Sequence, residues 1–245
     1  MWKLLLFALL LGSPLWASRA FNGTDQQLNS QATVDLSATQ QLTLSFWLNW
    51  TQDDTSNRTV ATNNFNAAGS FMIQMNMGCA GGSTTGVRLR GNVGPIAARI
   101  PSRPSAGVWH HWLVRLDFSK SADEIDAIYI DGVSQVLTAV CYAAVDNTDT
   151  FRTGTLFLMS SGGLEWVGGR LAEVAIWSTL LSANEVLSLS RSAPVASIRP
   201  QSLAIYYPLY GAAAPEADLS GHHNSGAVTG ATAADHVPLG PYVRR

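Results

Sequence analysis

Leu42-Thr43-Leu44-Ser45-Phe46-Trp47-Leu48-Asn49-Trp50 decides the fold. Leu42, Leu44, Phe46, Leu48 and Trp50 recur at every second position, with Thr43, Ser45 and Asn49 between them. A strand points successive side chains to opposite faces, so a period of two sorts apolar from polar residues, which a helix cannot do. Trp47 breaks the pattern. A large ring on the polar face serves either as a ligand platform or as a residue that a loop covers.

The alternation returns on both sides of this segment. Phe71, Ile73, Met75 and Met77 alternate with Ser70, Gln74 and Asn76, and Trp112, Val114, Leu116 and Phe118 alternate with His111, Leu113, Arg115 and Asp117. Ile128 and Ile130 run into Asp131-Gly132, whose tolerance of positive φ predicts a tight hairpin turn. Further strands are predicted at 87–90, 156–159, 171–177 and 203–207, separated by Gly, Asn, Ser and Thr clusters. Many short strands with regular turns predict an all-β chain, a two-sheet antiparallel jelly-roll sandwich. One short helix interrupts the strands. Ser182-Ala183-Asn184-Glu185 is a capping box, and Leu181 and Val186 occupy the positions of a hydrophobic staple, so two helical turns are expected to close one end of a sheet.

The chain has 245 residues, 15 basic and 17 acidic, with 47% hydrophobic and 13% charged. That charge content is about half the ~25% of ordinary soluble domains, so disorder, which needs high charge and low hydrophobicity, is excluded. The near balance of charge also excludes a nucleic-acid binder working through a basic stripe. At the N-terminus, Met1-Trp2-Lys3 precedes the apolar run Leu4 to Leu11, a Gly12-Ser13-Pro14 break and the small residues Ala17 and Ala20. This order predicts a signal peptide over 1–20, with the mature chain starting near Ser18 or Phe21. The run is too short to span a membrane, and no other stretch is long enough, so no membrane span is expected in the mature chain. The alternative is a virion protein that retains a greasy N-terminus. Residues 21–245 are read as a single domain with a C-terminal extension from about residue 200. Cys79 and Cys141 form either an extracellular disulfide or two buried thiols.

Several segments, taken in order, resemble a known family. Phe21-Asn22-Gly23-Thr24-Asp25 with Leu44-Ser45-Phe46-Trp47-Leu48 resembles the opening strands of laminin-G-like domains of the concanavalin A-like lectin/glucanase superfamily. Val108-Trp109-His110-His111-Trp112, followed by Ile128-Tyr129-Ile130-Asp131-Gly132-Val133, is similar to their central hairpin. Gly169 to Trp177 with the 181–189 helix is similar to their closing signature. The resemblance implies a jelly roll whose members bind glycans or proteins, frequently with Ca2+, and sometimes hydrolyse polysaccharides. Asp25 and Asp218 resemble turns that supply calcium oxygens in relatives; ordinary Asx turns are the alternative.

Hydrolases of this superfamily carry a Glu-x-Asp-x-(x)-Glu pattern on one strand face, because the reaction needs two carboxyl groups. Glu124-Ile125-Asp126 matches its start, but Ile128 and Tyr129 stand where the second Glu belongs. Neither can transfer the proton, so Glu124 and Asp126 are read as solvated residues entering a hairpin. His110 and His111, adjacent on a strand, point to opposite faces, His110 toward the core and His111 toward solvent.

Binding is the more economical role. Trp50, Trp112 and Trp177 are expected in the core, whereas Trp47, Trp109 and Trp166 are candidate ligand contacts. The long polar loop over 50–66 is where a sandwich usually builds a site. We read the chain as a secreted, non-catalytic carbohydrate-binding module, with a glycan or polysaccharide as partner. The alternatives are an adhesive protein of a cell surface or virion that binds a protein partner, and an atypical polysaccharide hydrolase.

Overall fold

The computed structural model describes residues 17–52, 54–65, 67–77, 85–141, 148–210 and 213–237. The first strands are β1 (Ala17–Asn22), β2 (Gln27–Ser30), β3 (Gln41–Trp50), β4 (Arg58–Thr62), β5 (Ser70–Asn76) and β6 (Gly86–Arg90). Then come β7 (Pro95–Arg99), β8 (His110–Asp117), β9 (Ile125–Ile130), β10 (Val133–Ser134), β11 (Thr138–Cys141) and β12 (Phe157–Leu158). The chain continues through β13 (Gly168–Trp177), helix α1 (Ala183–Ser190), β14 (Leu203–Tyr207), β15 (Gly226–Thr229) and β16 (Thr232–Asp235). Sheet I has the order β10-β9-β8-β3-β13-β1-β16, with β14 also on β13; sheet II has the order β11-β7-β6-β5-β4-β12-β2-β15. All the pairings are antiparallel. This is the all-β sandwich expected from the alternation.

The apolar phase of each strand faces the other sheet. Leu42, Leu44, Phe46, Leu48 and Trp50 of β3 share one buried cluster with Phe71, Ile73 and Met75 of β5. On β3 and β8 the register places Phe46 opposite Trp112, and their rings stack 6.2 Å apart. Asp131 and Gly132 turn the β9–β10 hairpin with φ of 52° and 79°.

The helix does more than close a sheet end. Its capping box is present, and Leu181, Val186, Leu189 and Val195 cover Leu113, Ala175, Trp177, Leu203 and Tyr206 on the outer face of sheet I. Trp177 is thus buried beneath α1. Arg199 grips the cap through two contacts to Glu185, of 2.6 and 2.9 Å, and this pairing holds the Glu185 carboxyl down at about 2.

Outer-face burial also corrects the expectation for His111, which is 1% exposed. Its Nε2 lies 2.9 Å from Ser45 Oγ, and Trp47 packs on its ring at 5.2 Å. Burial depresses the His111 pKa to about 4, against the opposing pull of Asp131.

Both ends of the described chain enter the sheets. β14 and β16 extend sheet I and β15 extends sheet II, so the segment after residue 200 completes the sandwich. β1 begins at Ala17, which puts the boundary at residue 20 inside a strand. Arg19 is buried there, with Nη2 2.8 Å and Nε 3.2 Å from Glu216 Oε2. Residues 1–16, Cys79 and the Cys141 side chain lie outside the described residues, and with them most of the expected signal peptide and the question of whether the two cysteines pair.

Two outcomes follow from this burial. A chain beginning at Phe21 will be about 3–5 kcal/mol less stable than one beginning at Ser18, because it leaves Glu216 buried without Arg19 and removes the pairing of residues 18–20 with β13 and β16. Urea midpoints of the two forms test this, and equal midpoints would remove the ion pair from the account. His111 sets a pH dependence of defined sign. The unfolded chain takes up its proton near 6.5 and the folded chain only near 4, so stability is complete above about 6.5 and falls as the pH drops toward 4, by on the order of 3 kcal/mol. His111→Gln should abolish that segment of the stability profile; a profile parallel to the parent's would contradict it.

Candidate functional site

Strands of sheet II turn one face to the core and the other outward, and the outward face of β5 carries Ser70, Met72, Gln74 and Asn76. Outward polar residues on a sandwich are ordinarily wet. Here all four are buried, and the loops at 54–57 and 159–167 reach Asn76 and Gln74. Asp54 O accepts a bond from Asn76 Nδ2, and Asn76 Oδ1 accepts from Arg103 Nη1 at 2.6 Å. The Arg103 guanidinium lies 4.5 Å over the Trp50 ring. From the second loop, Glu165 Oε2 accepts from Thr59 Oγ1 at 2.5 Å and from Gln74 Nε2 at 3.0 Å. Glu165 holds φ at 51°, a left-handed conformation that costs a non-glycine residue on the order of 1–2 kcal/mol.

Arg58 joins the loops. It pairs with Asp54 and donates to Trp166 O at 2.7 Å. The Arg58 bond holds the Asp54 carboxyl below its usual range. Two polar atoms on this face are buried without a hydrogen-bond partner: Gln74 Oε1 and Arg88 Nε. A buried acceptor and a buried donor left unpaired are costly, and a bound polar molecule would supply what they lack.

Of the candidate tryptophans, Trp166 is tied to this cluster through its backbone carbonyl, which accepts from Arg58. All three stand toward the end of the sandwich where β3 stops and β8 and β13 begin. Trp47, however, projects from the outer face of sheet I onto His111, and Trp109 directly precedes β8. Neither contacts the sheet II cluster. The loop over 50–66 does contribute to the cluster, through Asp54, Asn57 and Arg58.

The calcium expectation fits the geometry poorly. Asp218 accepts backbone N–H bonds from Tyr206 and Ser220 on Oδ1, both at 3.0 Å, and from Asn224 on Oδ2 at 2.9 Å. Its carboxylate is committed to a turn. Asp25 closes a separate turn with Asn22 Nδ2 at 2.7 Å. The β13 partners of these two regions, Gly168 and Ala175, stand seven residues apart, roughly 23 Å at ~3.3 Å per residue. The two aspartates therefore cannot share an ion. Among the described residues no three His, Cys, Asp or Glu side chains cluster as a metal site.

Glu124 and Asp126 are not solvated, in contrast to the expectation. Glu124 is buried, and Asp126 is held by Arg115 and Lys120, between which its carboxylate packs. Gln74, Asn76, Arg88 and Arg103 went unrecognised as site residues. Alternation alone marked the first two as outward facing, and no local pattern showed that loops distant in sequence would bury them.

A family model described as the concanavalin A-like lectin/glucanases superfamily matches residues 22–187, and no curated protein matches. Among solved structures, a candidate carbohydrate-binding protein from Bacteroides ovatus has a TM-score of 0.65 at 15% identity, over 91% of this chain and 60% of its own. This chain thus spans less than two thirds of that protein. The heptameric SAP-like pentraxin of Limulus polyphemus has a TM-score of 0.61 at 14% identity, over 92% of this chain and 97% of its own. The enzymatically active domain of bacteriophage CBA120 tailspike protein 2 has a TM-score of 0.51 at 15% identity, over 78% and 29%. Identities this low speak for the fold alone. With the family model covering more than half of its 245 residues and the sandwich as described, the chain belongs to the concanavalin A-like lectin/glucanases superfamily.

Proposed function

We propose that the chain is a secreted, non-catalytic carbohydrate-binding module whose site is the outer face of sheet II between the loops at 51–57 and 159–167. One observation carries this reading: Asp54, Arg58, Gln74, Asn76 and Glu165 form a fixed polar network that joins two loops to the outer face of sheet II and takes in the backbone carbonyl of Trp166. Sugar recognition uses such placed amides and carboxylates beside an aromatic ring. The carbohydrate-binding character of the Bacteroides neighbour agrees with it.

The carboxylates of the site support binding over hydrolysis. Glycosidic cleavage needs one carboxyl kept protonated as the acid and a second facing it. Asp54 is instead held ionised by Arg58, and Glu165 accepts from Thr59, Gln74 and Asn57. Export follows from the basic and apolar leader, with Ser18 as the first residue that keeps Arg19 and its partner Glu216 together. Among the described residues no helix is long and apolar enough to cross a membrane. A second reading, adhesion to a protein, is favoured by Val133 at 64% and Val136 at 76% exposure, which follow the Gly132 turn that lies against Leu187 of α1.

A glycan array probed with the Ser18–Arg245 chain tests the proposal. Binding should appear, and Trp166→Ala should weaken it about tenfold, ~1.4 kcal/mol, whereas Trp47→Ala on sheet I should leave it unchanged. Absence of binding to every glycan, or equal loss in both variants, would refute the assignment.

A further inference from the structure

The part of sheet II farther from the 51–57 loop carries an unneutralised positive charge. On β6 the core takes Val87 and Leu89, so Arg88 and Arg90 point outward; on β7 the core takes Ala98 and Ile100, so Arg99 points outward. The register sets Arg88 opposite Met72 and Ala97, Arg90 opposite Ser70 and Pro95, and Arg99 opposite Gly86. Three arginines therefore occupy one face of two adjacent strands, spread over roughly 13 Å along them at ~3.3 Å per residue.

None of the three has an acidic partner among the described residues. Asp54 is engaged by Arg58, Glu165 by Thr59 and Gln74, and Asp149 accepts from Asn92. Arg88 sits over the Phe65 ring at 4.7 Å with its Nε buried and unpaired. The stacking fixes the guanidinium plane, and a planar fork is suited to a carboxylate or sulfate. Arg152 adds a further positive charge beside the same turn, its Nη1 donating to Asn64 O at 3.3 Å. Charged residues commonly guard the edge of a sheet, but β6 and β7 are interior strands, flanked by β5 and β11. Arg99 lies diagonal to Arg88 across the β6–β7 register, and long side chains so placed are within reach of one another, so one polyanion can engage both.

We propose that Arg88, Arg90 and Arg99 bind the carboxylate or sulfate groups of an anionic saccharide. The inference rests on the carbohydrate-binding reading above and specifies its ligand class. The sugar ring contacts the Gln74–Trp166 end of the face and its acidic substituents reach the arginines.

Affinity electrophoresis of the Ser18–Arg245 chain tests it, in gels holding polygalacturonate, dextran sulfate or neutral dextran, with a single-stranded DNA oligonucleotide as competitor. Polygalacturonate, dextran sulfate or both should retard the protein, and the responsive one identifies the oxyanion. Retardation should fall with added salt, since exposed charges are screened over ~8 Å at physiological ionic strength. Arg88→Gln with Arg99→Gln should lower retention at least tenfold. Arg170→Gln, on sheet I, should leave it intact. The lysine versions Arg88→Lys and Arg99→Lys keep the charge while losing the fork, and should retain part of the binding if the glutamine variants fold poorly. Retention only by neutral dextran, with no effect of the arginine changes, overturns this inference and leaves the carbohydrate reading standing. Equal competition by DNA, or equal loss in Arg170→Gln, reduces the effect to diffuse charge and overturns it. No retention in any gel, together with a blank glycan array, removes the carbohydrate reading itself.

Discussion

Burial between the two sheets is the constraint on which everything else depends. Phe46 stacked on Trp112, with Leu42, Leu44, Leu48 and Trp50 along the same strand face, removes large apolar side chains from water at about 1.5–3 kcal/mol each. Because strand geometry alternates faces, committing these residues inward leaves Thr43, Ser45, Trp47 and Asn49 outward with no freedom to choose otherwise. The outer faces are what remain after the core is satisfied. Function has to be built on them.

The two outer faces are used differently. Sheet I is covered by α1 and by its own aromatic residues, so that Trp177 and His111 are buried on the side away from the main core. Sheet II is covered by loops, and beneath them lie Gln74, Asn76, Thr59 and Glu165, joined by hydrogen bonds. The apolar cover that α1 lays over Leu113, Ala175 and Trp177 stabilises the fold. The polar loops over sheet II offer the hydrogen-bonding groups that a hydrophilic ligand requires, and the strained Glu165 belongs with that role.

Local periodicity made β3, β5, β8 and the β9–β10 turn legible, because each follows from neighbours one or two positions away. The capping box of α1 was equally plain, since its two hydrogen bonds join residues three apart. Short strands such as β2, β10 and β12 hold two to four residues, too few for a period to show. β1 was hidden because its residues Ala17 to Ala20 were read as the small-residue end of a signal peptide. Of the site, the loop over 50–66 and Trp166 were visible; Trp47 was set apart from it by the sheet and face its strand occupies.

By itself, the amino-acid sequence determined the class of fold, the inward residues of the long strands and the helix cap, since alternation and capping act between near neighbours. Tertiary structure alone decided that Arg19 meets Glu216 from the far end of the chain, that loops over a hundred residues apart reach Gln74 through Glu165 and Asn76 through Asp54, and that three arginines share one face. A balanced composition conceals such local charge. Which side chains gather on a surface depends on strand order and register, and these are set by long-range pairing that no stretch of sequence contains.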